Sequence, residues 1–509
     1  QGEKTIFSVA GQIAASWRNQ IFVDVTGRND WSSALVYADG HGNFSYFYPS
    51  VNGSWLISET FKDQLPSWMS FLKIRGSWAQ VGNDTDAYSI NSAYGLVSTV
   101  TNGNGTFGLE IPTKAYDQNL RPERKNSWEV GLDWRVFNNR IGLDATYYKE
   151  NTKDQIMTID VPSVSGISKQ VVNAGNIQNQ GVEIALNTIP VETKDFTWDL
   201  NFTYTKNMSK IVSLHENVAD FITLGGMANY GNYRIASVAK VGGSYGLLVS
   251  DSKPKMDEKT GLPILRTSYY NGYHGLAYTR TGDVQEIGDM QPKFLGSINT
   301  SLRYKNFTLR AQLDGRFGGY VASYNSRYGT AYGYTESSLQ GRDTEHGGIA
   351  YTSMWDGKSY TDGVIPEGII VGGTTLNTPT GTYTVAEGGE TYQALVDKGV
   401  AEPIHASSWH YFANSWGQGV VNDDWVSELT YIALREVSIS YRVPERFASK
   451  IHSKGMSISA SGRNLGYLYN SLPNHFNPES IRGTSASQYE IRSAAPYTAS
   501  FFLTLNLTF

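Results

Sequence analysis

The 509-residue chain has a formal net charge of -5, no cysteine, 52 glycines and 33 tyrosines. This excludes disulfide frameworks and thiolate metal sites, and the mild acidity leaves no footprint for nucleic acid. Aromatic residues make up 13% and charged residues 17% of the chain, below the roughly 25% charge usual in soluble domains, yet no run of about 18 apolar residues could cross a membrane as a helix.

A chain rich in Tyr, Trp and Phe but polar on average, with mean hydropathy -0.35, needs two solvents. A barrel wall supplies them, lipid outside and water inside. The fold class expected is therefore all-β, an antiparallel transmembrane β-barrel, and the texture is uniform enough that residues 1–509 read as one architecture.

In chain order, weaker strand patterns lie near 5–15, 19–27, 46–58 and 70–80, followed by a long irregular stretch, 81–125. Clear period-two alternation then begins. Trp128, Val130, Leu132, Trp134 and Val136 share one face, with Glu129, Asp133 and Arg135 on the other. After the turn at Asn138-Asn139, Ile141, Leu143, Ala145 and Tyr147 alternate with Gly142, Asp144, Thr146 and Tyr148. Val182, Ile184 and Leu186 oppose Glu183, and Trp198, Leu200, Phe202 and Tyr204 oppose Asp199.

A second long stretch, 207–292, precedes a weaker strand near 293–304, a turn at Lys305-Asn306, and Phe307 to Arg316. There Arg310, Asp314 and Arg316 oppose Leu309, Ala311 and Leu313. The longest stretch, 317–429, is followed by patterns near 430–442 and 454–463, and the chain closes on Phe501, Leu503, Leu505, Leu507 and Phe509. The clear segments run about 9 to 11 residues, the length of a tilted membrane-crossing strand, and roughly 13 strands are expected in all.

A soluble β-sandwich also alternates, but it does not place aromatics at strand ends as Tyr147, Tyr204, Tyr304 and Tyr441 stand here, in the manner of interfacial girdles. Long connections are usually functional, so 81–125, 207–292 and 317–429 are expected on the ligand-facing side. The glycines at 82, 175, 181, 315, 318 and 319 read as turn and bulge positions. An enzyme is not indicated: His405 and His410 lie five apart without an evident carboxylate partner, and neither a nucleophile elbow nor a phosphate loop is present. No metal or other cofactor is expected.

Several phrases resemble the SusC/RagA family of TonB-dependent importers. These are Tyr48-Pro49-Ser50-Val51, then Leu72-Lys73-Ile74-Arg75-Gly76-Ser77-Trp78 with Val81-Gly82-Asn83, and Asn173-Ala174-Gly175 with Asn179-Gln180-Gly181-Val182-Glu183. Further on come Asp314-Gly315-Arg316-Phe317-Gly318-Gly319, Leu434-Arg435-Glu436-Val437, Gly462-Arg463-Asn464-Leu465 and Asn477-Pro478-Glu479-Ser480. They occur in family order across nearly the whole chain. Ala79-Gln80 departs from the family's small pair, and Asn477 stands where Asp is common.

The resemblance implies the C-terminal part of a 22-stranded outer-membrane barrel, with the plug and the TonB-contacting segment in a preceding part of the polypeptide. It implies energised import of an oligosaccharide, ahead of a peptide, with a SusD-like surface lipoprotein as lid and TonB as partner. Glu129, Asp133, Arg135, Glu183, Asp199, Arg310, Asp314 and Arg316 would face the lumen and plug, or pair with one another across it. Trp355, Trp409, Tyr411 and Trp416 would contact ligand, or simply hold the loops together. Phe509 resembles the terminal signal read by barrel-assembly machinery, or simply anchors the last strand at the interface. A passive porin and an adhesive barrel are the alternatives.

Overall fold

Strands whose two faces differ in polarity pair so that like faces align, because a one-residue slip would turn every side chain over. The computed structural model describes residues 3–87, 89–90, 94–101, 104–161, 166–216, 218, 220–224, 235–270, 273–414, 425–481, 490–491 and 496–509. Thirteen strands follow one another as an antiparallel meander: β1 (Ile6–Trp17), β2 (Ile21–Ser32), β3 (Ser45–Leu56), β4 (Met69–Asn83), β5 (Glu123–Val136), β6 (Ile141–Asp160), β7 (Lys169–Glu192), β8 (Phe196–Ser213), β9 (Phe294–Tyr304), β10 (Phe307–Phe317), β11 (Tyr431–Val443), β12 (Gly455–Asn470) and β13 (Ser500–Thr508). A further short strand, Lys114–Tyr116, adds in parallel to β7.

The register separates the faces. One row of ladder partners runs Trp17, Ile21, Trp55, Ile74, Leu132, Ala145, Ile184 and Tyr204. The neighbouring row runs Arg75, Gly131, Thr146, Glu183, Thr205, Leu295, Arg316 and Tyr431. The first face is apolar and open, with Trp78, Val130 and Leu309 all exposed, as a lipid-facing wall requires.

Aromatic pairs mark both levels of this apolar band. Phe294 and Phe317 stack at 4.3 Å, and Phe307 meets Tyr441 at 4.6 Å. From Phe294 to Tyr304 the strand climbs about 33 Å at roughly 3.3 Å per residue, which at a tilt of about 40° is a height near 25 Å, that of a membrane barrel's apolar band. Among the described residues no helix is long and apolar enough to cross a membrane.

Every expected strand is present, but several are longer than expected. β7 has 24 residues, and its first half continues the pairing with β6 beyond the band. There Val171, Val172, Ala174 and Ile177 are buried by loops, so both faces meet protein and the alternation disappears. Tyr147 and Tyr204 consequently sit mid-strand, at the edge of the band, not at strand ends. Gly175, at φ +83°, lies where the ladder skips a residue opposite Asp154, at φ +56°.

The two rims differ. One carries tight turns through Arg18-Asn19, Phe137-Asn138-Asn139 and Lys305, all with positive φ. The other carries the long connections, and these are not irregular. Within 207–292 lie strands such as Ile235–Lys240, Tyr245–Ser250 and Ile264–Tyr270. Within 317–429 lie helices α1 (Tyr324–Ala331), α2 (Tyr392–Asp397) and α3 (Ala406–Asn414). Ile264 and Leu265 pair with Ile369 and Ile370, knitting the two connections into one unit. Its core is Leu265, Leu276, Ile370, Leu376, Tyr392 and Leu395. Strands of two to seven residues separated by turns leave too short a pattern to read from sequence.

Candidate ligand-facing site

The ladder rows put Glu129, Asp133, Arg135, Glu183, Asp199, Arg310, Asp314 and Arg316 on one face of the wall, the polar one. Their partners are local. Arg75 lies over Gly131 and reaches Asp144 at 2.7 and 3.0 Å and Thr146 at 2.6 Å. Any Cβ at Gly131 would stand 2.5 Å from the Arg75 side chain, so this glycine is a seat. Gly181 is another, beneath the Tyr148 hydroxyl. Asp133 pairs with Arg135 two residues along its own strand, at 2.9 Å.

Glu129 joins Asp24 and Arg75 around a polar recess of about 270 Å³. Glu183 is exposed on this face, Asp199 half-buried, and Arg310 is exposed and makes no ion pair among the described residues. Arg316 turns upward, donating to the Met290 carbonyl at 2.7 Å. It thereby ties the wall to the loop unit.

Asp314 is held by Arg435, which sits at a bulge in β11, between Leu434 and Glu436, where the ladder skips a residue. An extra residue in one strand re-aims its side chain, and here Arg435 points inward. Its Nη1 and Nη2 also donate to the two carboxylate oxygens of Glu479, in the connection after β12, Nη1 at 2.6 Å. Glu479 also accepts from Tyr467 at 3.0 Å. The guanidinium holds the Glu479 carboxyl below the usual carboxylate range, against the opposing effect of its partial burial. Asn477 accepts from Tyr467 at 2.9 Å and from the Glu479 amide at 3.0 Å, bonds an aspartate would accept equally. Beside this clasp a cavity of about 670 Å³ opens between wall and loops, lined by Thr205, Leu295, Arg316, Tyr431, Tyr245 and Glu479 among others.

In the loop unit three of the four expected aromatics fall among the described residues, and their settings differ. Trp409 packs on the core and meets Tyr278 edge to face at 5.3 Å, so it holds the loops together. Trp355 is 40% exposed. Tyr411 lines a second cavity, of about 520 Å³, with Tyr332, Arg342, Asp362 and Ser408. Trp416 lies outside the described residues. Phe509 is exposed, one residue past the last ladder partner, Thr508.

Contrary to expectation, His405 has a carboxylate partner, with Nδ1 3.1 Å from both oxygens of Asp362. The two are 43 residues apart, beyond the reach of local spacing. His410 is buried with Nε2 2.9 Å from the Gln340 carbonyl, and burial pushes its pKa down. No cluster of ligating side chains suited to a metal occurs among the described residues.

Arg75–Asp144, the Arg435–Glu479 clasp and the cavity around Arg342 leave no signal in the spacing of residues along the chain. Arg435 and Glu479 each stood in a quoted phrase, but nothing in one dimension joined them.

The family described as "TonB dependent receptor-like, beta-barrel" matches residues 1–336. The chain is 29% identical over 336 residues to TonB-dependent receptor P26 of Formosa agariphila, covering 64% of this chain and 33% of that protein. It is 27% identical over 330 residues to TonB-dependent receptor SusC of Bacteroides thetaiotaomicron, covering 62% of this chain and 32% of that one. The chain thus spans about a third of the length of these curated relatives. Among solved structures, the RagAB peptide transporter superposes with TM-score 0.67 at 17% identity, over 99% of this chain and 48% of the transporter chain, a likeness of fold.

Proposed function

This chain belongs to the TonB-dependent receptor β-barrel family and to the bacterial outer membrane, and from that premise we propose that it serves energised import of a nutrient oligomer, an oligosaccharide ahead of a peptide. Its part in that work is wall, lumen lining and ligand-facing loops. The observation that carries the reading is the contrast between the rims, tight turns on one and on the other a loop unit with its own core, tied down onto the polar face by Arg316, beside a further connection clasped there through Arg435 and Glu479. A passive pore has no need of so built a roof.

In this reading a SusD-like surface lipoprotein closes over the loops. TonB draws on a plug seated against the polar face, where Arg310, Glu129 and Glu183 offer charge not consumed by ion pairs among the described residues. Trp355 and Tyr411 offer aromatic surface to the ligand. The family's proteins are importers rather than catalysts, and no enzymatic role is proposed.

The test is uptake and binding by the complete importer. Isothermal titration with glycan and peptide pools should give heat with glycans, and uptake should stop when TonB is removed. High conductance independent of TonB, with no saturable binding, points instead to a porin.

A further inference from the structure

Helices α1 and α3 pack against each other in the loop unit, and the second cavity, of about 520 Å³, lies between them. That is within the range of about 300 to 1,000 Å³ typical of small-molecule sites. Three kinds of group meet at its wall.

The first is aromatic: Tyr332, 50% exposed, and Tyr411 stand edge to face with centroids 6.2 Å apart. The second is a cationic donor. Arg342 directs Nη2 to the Gly333 carbonyl at 3.1 Å and the Ser338 hydroxyl at 3.3 Å, and its Nε and Nη1 make no hydrogen bond among the described residues. The third is an acceptor, the Asp362 carboxylate, steadied by His405 at 3.1 Å.

This combination discriminates between ligand classes. An anion would be drawn by Arg342 and repelled by Asp362. A peptide could not add here as a strand, the mode that needs an open strand edge, because the lining residues Ala406, Ser407, Ser408, His410, Tyr411 and Phe412 are helical and bond within their own turns. A sugar ring without charge suits all three groups: its hydroxyls both donate and accept, and its C–H face lies on an aromatic ring.

We propose that this cavity binds one end of a neutral oligosaccharide, with Arg342 and Asp362 on its hydroxyls and Tyr332 and Tyr411 against a ring. The proposal rests on the import reading above and narrows it to a substrate class and a subsite.

The experiment is titration of the complete importer with its lid partner. The probes are a panel of neutral hexasaccharides (gluco-, manno-, galacto- and xylo-), hexagalacturonate and a tripeptide pool. At least one neutral hexasaccharide is expected to bind. Tyr411→Ala and Arg342→Gln should each weaken it tenfold or more, and Tyr411→Phe should stay within twofold, all with unchanged thermal unfolding. Tyr332→Ala, at an exposed position, gives the same readout should the other variants fail to fold. Neutral binding that all these variants leave intact overturns the subsite while import stands. Binding confined to hexagalacturonate or peptides overturns the substrate class. An importer that neither binds nor takes up any probe overturns the import reading as well.

Discussion

Arg435 Nη1 lies 2.6 Å from a carboxylate oxygen of Glu479, a residue 44 positions further along the chain, and this bond fastens the connection after β12 to the inner wall. Arg435→Ala leaves both Asp314 and Glu479 without their cation. A charge-assisted bond is worth about 2 kcal/mol, so faster hydrogen exchange across 471–481 is expected, with the wall strands unaffected.

The same clasp predicts a pH response. The Glu479 carboxyl titrates below its ordinary value of 4.5 because Arg435 favours the charged form. Its contribution is therefore complete above that value and is lost as pH falls through the lower folded pKa. Protection of 471–481 should hold from pH 7 to 5 and be lost as pH falls below 4.5. Glu479→Gln should be weaker throughout and flat over that range.

His41 predicts the opposite sign. Its Nδ1 contacts Asp39 and its Nε2 lies 3.2 Å from the Gln118 carbonyl, two acceptors that only the protonated ring satisfies as donors. Asp39 first and then that carbonyl raise its pKa above the ordinary 6.5. The contact between the 33–44 and 117–121 connections should be firm below pH 6.5 and loosen as pH rises through the higher folded pKa. Protection at 117–121, corrected for the intrinsic exchange rate, should fall as pH rises above 6.5, and His41→Gln should abolish that dependence.

Trp409 and Trp355 should respond differently to truncation. Trp409→Ala removes a ring packed on the loop core and should cost the loop unit about 2 to 3 kcal/mol, seen as new protease cleavage within 349–405 while the barrel stays folded. Trp355→Ala, at a 40% exposed position, should leave stability within about 0.5 kcal/mol and alter only ligand binding.

The wall's two faces should rank charge differently. Leu309→Arg puts a cation on the apolar face, two residues inside the Phe307 edge of the band, and should cost about 1 to 2 kcal/mol on refolding into vesicles, between the interface and mid-plane penalties. Thr308→Arg, its neighbour on the polar face, should be nearly neutral. Equal penalties at the two positions would contradict the assignment of faces.

All-β membrane architecture was legible in the residues themselves because a bilayer imposes period two wherever one face meets lipid: Trp128 to Val136 and Phe307 to Phe317 could be read strand by strand, face by face. Ordered phrases such as Asn173-Ala174-Gly175 added the family. Legibility ended where lipid did. In the first half of β7 both faces meet protein, and in 317–429 the strands are too short to show a period, so a folded unit looked like loop. The partners of Arg75, Arg435 and His405 were hidden for a different reason. Ladder register and loop docking bring together residues tens of positions apart, and no spacing along the chain encodes that. Sequence alone determined which residues could face water inside the wall; tertiary structure decided which of them hold one another and which remain to meet a ligand.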